Sequence, residues 1–314
     1  MAASKAPYIT LDVFTLTRFK GNPLAVVGVE GEALSYGHML TIAREFNYSE
    51  TVFIRQSQDG ELSINIFTPA GEIDFAGHPV IGTGYMLFHQ LLPGISLPDP
   101  IPETISVSAN AGPILLRHNY ETGTVLAEVP HNVHIQSSGT PKQNILDTQP
   151  NLVDQASRLS QEYPAVSIVK GVTYTLVDMS DQEDLFIRVA AGKSPVTELD
   201  DGWAPSFTGT MYYRRGVVSL DNGVRVENLR VRMIGIGLED PATGSACCSL
   251  AAYLALQQQE PNGTYRFCME QGREMGRKSD IIVDVILDGS GNTVLSMFLS
   301  GLATLVAEGT IRLP

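Results

Sequence analysis

Phe75-Ala-Gly-His-Pro-Val-Ile-Gly-Thr-Gly84 runs straight into Tyr85-Met-Leu-Phe88. It is a glycine-rich turn with an imidazole that leads directly into an apolar helix. The other half of the chain has a counterpart, Glu239-Asp-Pro-Ala-Thr-Gly-Ser-Ala246, which leads into Cys247-Cys-Ser-Leu-Ala-Ala-Tyr-Leu254. The first N–H groups of a helix have no partner inside it, and the helix dipole places partial positive charge there. Each turn therefore suits an anion such as a carboxylate. Two such turns, one per half, predict two similar lobes closing over a small acidic molecule.

The first half reads as short strands around two helices. Tyr8–Phe14 and Leu24–Val27 alternate as strands do, with a turn at Lys20-Gly-Asn-Pro23 between them. From Leu34 to Asn47 the residues Met39, Ile42, Ala43 and Phe46 fall on one helical face. Thr51–Ile54 and Leu62–Phe67 pair across Asp59-Gly60, and a second helix runs from near Pro79 to about Leu92. Further strands are expected at Ile105–Ala109, Ile114–Leu116 and Val125–Val129. The pattern loosens between Pro130 and Pro164, apart from one helical stretch at Val153–Leu159. The lobe boundary is accordingly placed at residues 130/131, giving lobes 1–130 and 131–314, with the last strand able to cross back to the first. The second half repeats the element order: strands at Ala165–Val169, Thr173–Val177, Met211–Tyr213 and Leu229–Met233, then a helix at Ser245–Leu256. Strands at Tyr265–Met269, Ile281–Ile286 and Thr304–Leu313 complete it. The strands are short and turn-bounded, without regular crossover helices. This predicts α+β lobes, each a curled sheet around one central helix.

Composition narrows the function. A chain of 314 residues fits two domains, and 43% hydrophobic with 18% charged residues is ordinary globular composition. A net charge of −13 argues against nucleic acid, whose phosphates need a basic face, but leaves room for a locally positive site that takes a small anionic metabolite. No apolar run approaches the roughly 18 residues that span a bilayer, and Met1–Thr10 lacks the apolar core of a signal peptide, so a cytoplasmic protein with no membrane partner is expected. The three cysteines form neither a disulfide framework nor a zinc-like spacing, and no metal site is expected.

Four residues carry candidate chemistry, and each has a plain alternative. Glu50 in Tyr48-Ser-Glu-Thr51 reads alone as a solvated loop carboxylate. Asp240 reads as an acid near a helix N-terminus, Ser245 as a helix cap, and His78 as a turn histidine. Together they have complementary jobs. Glu50 and Asp240 come from different halves, and two carboxyls whose burial separates their pKa values can take and give a proton. His78 can donate to a developing enolate-like oxygen, and the Gly244–Ser245 amides can hold a carboxylate.

The chain resembles the phenazine-biosynthesis PhzF-like family, which has the diaminopimelate epimerase fold. The matching segments are Asp12-Val-Phe-Thr15, Gly21-Asn-Pro-Leu-Ala-Val-Val27, Ser49-Glu-Thr-Val-Phe53, Phe67-Thr-Pro69, Phe75-Ala-Gly-His-Pro79, Glu239–Ala246, Gln271-Gly272 and Met275-Gly-Arg277. The resemblance implies a two-lobed, pseudo-symmetric isomerase without metal or organic cofactor, and a homodimer. Glu50 would shuttle a proton between carbons of a cyclic dienyl amino acid. His78, Asp240 and Ser245 would bind and polarise the substrate, with Gly77, Thr243 and Gly244 completing the binding turns. Related amino-acid epimerases use one cysteine at each turn; Ala76 and Pro241 stand there instead, which argues against two-thiol racemisation. Cys247 and Cys248 then read as buried structural residues. Two departures bear on the substrate. Arg230-Val-Arg-Met-Ile-Gly235 replaces the family's Arg-x-Phe-x-Pro run and is expected to alter the cleft wall, and Lys278 replaces a proline. Two other functions fit the same residues: a repurposed cyclase or other bond-rearranging enzyme of secondary metabolism, and a ligand-binding or interaction module that kept the fold. The presence of both Glu50 and Asp240 favours an enzyme.

Overall fold

A computed structural model describes residues 5–29 and 34–314. The signal-peptide reading of Met1–Thr10 therefore lies partly outside the described residues. The chain divides into two compact units, residues 1–128 with 300–314, and residues 129–299.

In the first unit β1 (Lys5–Val13) pairs antiparallel with β2 (Asn22–Gly28) on one side and with the C-terminal strand Ala303–Arg312 on the other. Helix α1 (Tyr36–Phe46) then carries the chain back to β3 (Glu50–Gln56), which lies parallel to β2. Ser35 caps α1 by accepting from the His38 N–H at 3.2 Å, and Asn47 closes it in a left-handed conformation at φ 52°. The predicted face is the buried one: Met39, Ile42 and Ala43 pack with Val27, Phe53 and Phe67. β4 (Leu62–Phe67) pairs antiparallel with β3 and is followed by the short β5 (Glu72–Ile73). Helix α2 (Gly77–Phe88) bridges β4 to β6 (Thr104–Ala109), which runs parallel to β4. β7 (Gly112–His118) and β8 (Val125–Glu128) extend the sheet antiparallel. All of α2 except Tyr85 is buried. It touches β1, β2, β3, β7 and β8, so the sheet curls around it. A helix that is apolar on every side requires that environment.

The second unit repeats this plan with more covering on the outside. After β9 (His134–Ile135) and β10 (Thr140–Pro141) come helix α3 (Lys142–Thr148), a 3₁₀ segment at Pro150–Arg158, and β11 (Glu162–Tyr163). β12 (Ala165–Val169) and β13 (Val172–Asp178) form a hairpin. Helix α4 (Glu183–Arg188) lies between β13 and its parallel neighbour β14 (Phe207–Asp221). β14 and β15 (Val224–Gly235) form a long antiparallel hairpin, and β16 (Leu238–Asp240) folds back on β15. Helix α5 (Gly244–Leu256) bridges β15 to its parallel partner β17 (Thr264–Gln271), and β18 (Ser279–Leu287) pairs antiparallel with β17. β19 (Val294–Gly301) leads into the C-terminal strand, β20. Small residues (Ala, Ser, Cys) fill α5, which packs against β12, β13, β14, β17 and β18. A second core, with Ile145, Leu152, Leu185, Phe186 and Tyr212, covers the outside of the sheet under α3, α4 and the 3₁₀ segment.

Several expectations are corrected. The parallel pairs β2/β3, β4/β6, β13/β14 and β15/β17 are each bridged by a helix, so crossover helices are present. The stretch Val153–Leu159 belongs to the 3₁₀ segment, not an α-helix. Helices α3 and α4 are too short to show a periodic apolar face. The three-residue strand expected at Met211–Tyr213 is 15 residues long, because its second half is an exposed hairpin arm without apolar alternation. β19 has no counterpart among the strands read from the sequence.

Candidate functional site

Glu50 is the first residue of β3, not a solvated loop carboxylate. It follows the tight α1 exit at Asn47 and pairs in register with Leu24 of β2. That register brings Asn22, at the start of β2, to the same end of the sheet. His78 arrives from α2, whose N-cap Ala76 is extended and makes no side-chain capping bond. The Glu50 side chain is 18% exposed and that of His78 is 5% exposed, and Glu50 Oε2 lies 3.4 Å from His78 Nε2. Oε2 is buried and makes no aligned hydrogen bond. Burial pushes the Glu50 carboxyl above its ordinary value of 4.5, with the Ser49 side chain working the other way. Around the pair, Asn22 Nδ2 lies 3.5 Å from His78 Nδ1, and the Ser49 hydroxyl donates to Asn22 Oδ1 at 3.4 Å. Gly77 is buried at the helix start.

The second turn is a hydrogen-bonded knot. Thr243 is the N-cap of α5, but its side chain does not cap the helix. Its hydroxyl donates to Asp240 Oδ2 at 2.6 Å, and Asp240 Oδ1 accepts from the Ala242 N–H at 3.3 Å. Gln271 at the end of β17 ties the turn down from the other side. Its Oε1 accepts the Thr243 N–H at 3.0 Å, and its Nε2 donates to the Asp240 carbonyl at 2.8 Å and to Thr243 Oγ1 at 3.0 Å. Gly272 follows at φ +72°, where a Cβ would stand 2.6–2.7 Å from the Arg277 and Pro241 carbonyl oxygens. Gly244 and Ser245 open α5, and Ser245 is not its cap. Its hydroxyl lies 2.7 Å from the Tyr174 hydroxyl. Burial pushes the Tyr174 phenol upward, so it stays protonated.

Other candidates resolve into structural roles. Cys247 and Cys248 are buried inside α5, and burial pushes the Cys248 thiol up to about 12 and the Cys247 thiol well above its usual value. A thiolate is the reactive form, and burial disfavours it at both positions. Within Arg230–Gly235, the Arg232 guanidinium is buried. It pairs with both oxygens of Glu239 at 2.7–2.8 Å and donates to the Phe186 carbonyl. Glu239 is thereby taken up, leaving Asp240 as the carboxylate of the turn. Lys278 pairs with Glu270 and Asp280. A groove of ≈ 500 Å³ beside β14 and β17 is lined by Arg214, Arg215, Arg230 and Arg273, each already paired with a glutamate. Among the described residues no three His, Cys, Asp or Glu side chains gather to hold a metal ion, and no helix is long and apolar enough to cross a membrane.

Sequence reasoning gave no role to Asn22, Gln271 or Tyr174. Asn22 and Gln271 stand in segments that carry the resemblance, Gly21-Asn-Pro23 and Gln271-Gly272, so a signal existed. Tyr174 reads as one more alternating strand residue.

Comparison with known proteins follows the same lines. The chain is 30% identical to an uncharacterized isomerase of Mesorhizobium japonicum, over 97% of this chain and 98% of that protein. It is 27% identical to the trans-2,3-dihydro-3-hydroxyanthranilate isomerase of Pseudomonas aeruginosa, over 96% and 98%. Among solved structures it is similar to the PhzF-family phenazine biosynthesis protein of Bacillus anthracis, with a TM-score of 0.73 at 20% identity, over 98% and 99% of the two chains. The fold is thus the α+β one expected, a curled sheet around a central helix in each unit. The family model described as phenazine biosynthesis-like protein matches residues 11–199 and 220–309, and this chain belongs to that family, PhzC-PhzF, whose relatives here bear the name isomerase.

Proposed function

We propose that this protein is an isomerase that moves a proton between carbon atoms of a small carboxylate-bearing metabolite, with Glu50 as the proton carrier. The observation that supports this best is the Glu50 carboxyl itself: buried, raised in pKa by desolvation, and set against His78 Nε2 at 3.4 Å. A general acid–base group works best when its pKa approaches the working pH, and burial moves a carboxyl in that direction. As a carboxylate, Glu50 takes a proton from an acidic C–H. The electron pair shifts into the adjacent π system, and the same carboxyl returns the proton at a second carbon. No oxidant or cofactor enters this balance. His78 is assigned to polarising an oxygen of the substrate as charge develops on it. The Asp240 turn, with Thr243, Gly244 and Ser245, is assigned to substrate binding, and Gly77 to shaping the first turn.

The name of the P. aeruginosa relative suggests the first probe, trans-2,3-dihydro-3-hydroxyanthranilate, with other cyclic and dienyl amino acids screened beside it. Incubation in D₂O with mass spectrometry should show deuterium entering one of them. Glu50→Gln keeps shape and removes the titratable proton, so exchange should fall by about a hundredfold or more while the fold is kept. Near-wild-type exchange in Glu50→Gln would refute the assignment. Asp240→Asn should lower kcat/KM for the same probe by roughly 10- to 100-fold, the scale of a lost charged hydrogen bond; an unchanged KM and kcat would remove Asp240 from the site.

A further inference from the structure

Asn22, the adjacent pair Ser49 and Glu50, and His78 come from three places in the chain, yet their polar atoms lie in one run: Ser49 Oγ to Asn22 Oδ1 at 3.4 Å, Asn22 Nδ2 to His78 Nδ1 at 3.5 Å, and His78 Nε2 to Glu50 Oε2 at 3.4 Å. A neutral imidazole carries its proton on one nitrogen only, and the hydrogen bond at one nitrogen decides the state of the other. The Asn22 amide sets its carbonyl oxygen against the Ser49 hydroxyl and its NH₂ towards His78. An NH₂ group can only donate, so the nitrogen it meets must be bare.

We infer that Asn22 is a positioning residue that fixes the tautomer of His78, keeping Nδ1 unprotonated and the ring proton on Nε2, 3.4 Å from Glu50 Oε2. This rests on the proton-carrier reading of Glu50 for its functional meaning, but the tautomer itself is a property of the resting protein. It gives the Glu50–His78 pair a direction. An Nε2–H at 3.4 Å sets the positive end of its dipole beside the Glu50 carboxylate when the proton has left for the substrate, and it is the donor that His78 needs to polarise a substrate oxygen. With the other tautomer, Nε2 would be an acceptor and could do neither.

The position of Asn22 is rigid, as a positioning role demands. It is 2% exposed and paired in register with Val13 of β1. The residue before it, Gly21, sits at φ +64°, where a Cβ would stand 2.3 Å from the Val13 carbonyl oxygen, so the turn into β2 has one available shape. Asn22 acts on the ring through Nδ1 and supplies no proton itself.

The test is long-range ¹H–¹⁵N NMR of the histidine rings in the unliganded protein at neutral pH, with His78 assigned by the signal missing from His78→Gln. Wild-type protein should show a pyridine-type Nδ1 and a pyrrole-type Nε2. Asn22→Asp replaces the donor by an acceptor of the same shape and should place a proton on Nδ1. Asn22→Ala removes the bias and should give a mixture of tautomers. A protonated Nδ1 with a bare Nε2 in the wild-type ring would overturn the inference, and this reading does not depend on either variant folding. An Asn22→Asp protein with the wild-type ring pattern would overturn it equally. The two proposals fail separately. An unmoved tautomer with Glu50-dependent deuterium exchange sinks only the positioning role, whereas the expected tautomer with exchange intact in Glu50→Gln sinks only the proton carrier.

Discussion

At the scale of single residues, the Glu50 carboxyl opposes folding as pH rises. Its folded pKa is raised above the ordinary 4.5 by burial, so the folded state holds this proton more tightly than the unfolded chain. The sign follows. The contribution is fully favourable below the unfolded value and is lost as pH rises through the folded one. Glu50→Gln removes that dependence. The variant should therefore melt higher than wild type at pH 8, with the gap closing towards pH 4; a gap independent of pH would show that the carboxyl is not desolvated. Stability gained at the expense of activity is the pattern expected where a site holds a group against its solvation preference. Gly272 is the second case. Replacement by alanine forces φ +72° on a residue with a Cβ and sets that Cβ against two backbone oxygens that cannot yield. Gly272→Ala should cost about 1–3 kcal/mol in urea unfolding, the range for overpacking and strained backbone. It should also lower activity, because Gln271 next to it holds both the Asp240 carbonyl and Thr243.

At the scale of elements, the two central helices differ in how they admit close packing. In α2 the backbone is approached at glycines: a Cβ on Gly82 would lie 2.4 Å from Leu24 Cδ2, and one on Gly84 would lie 2.6 Å from Val125 Cγ1. Glycine inside a helix is unfavourable by up to about 1 kcal/mol relative to alanine, and close contact with β2 and β8 offsets it. Gly82→Val should therefore destabilise by roughly 1–3 kcal/mol through overpacking, read as a lower urea midpoint with an unchanged m-value. In α5 the same closeness is reached with Ala, Ser and Cys. Cys247→Ala and Cys248→Ala should leave turnover of the probe unchanged and cost about 1 kcal/mol each, a typical point-mutant effect. Loss of turnover in a folded variant would return a thiol to the mechanism.

At the scale of the whole molecule, the first unit is closed by the end of the chain. β20 pairs with β1 over nine register positions, and residues 300–314 belong to that unit. A truncation after Gly301 would leave β1 with a bare edge and uncover Leu11 and Val13, which are buried in the intact protein. The truncated protein should lose its cooperative melting transition for the first unit and aggregate. A truncation that melts like the full chain would mean that β20 contributes no more than a surface strand.

Local pattern alone specifies several features of this protein. The apolar runs behind Gly77 and Gly244 specify two buried helices because they have no polar face. Met39, Ile42 and Ala43 specify α1, and the alternation on either side of Asp59-Gly60 specifies the β3–β4 hairpin. The candidate residues could be listed on the same footing, since Glu50, His78, Asp240 and Ser245 have recognisable chemistry beside glycine turns. Their partners could not. That Asn22 reaches His78, 56 positions away, depends on the parallel register of β2 with β3 and on the entry of α2. That Gln271 supports the Asp240 turn depends on where β17 ends beside β15. That Ser245 meets Tyr174 instead of capping α5 depends on β13 lying against that helix. Long-range pairing is an outcome of which strands share a sheet and in what register, and no window of neighbouring residues carries that information. The same holds for the raised pKa of Glu50. A glutamate after a helix end is a surface residue by every local rule, and only the strand and helix packed around it remove its water.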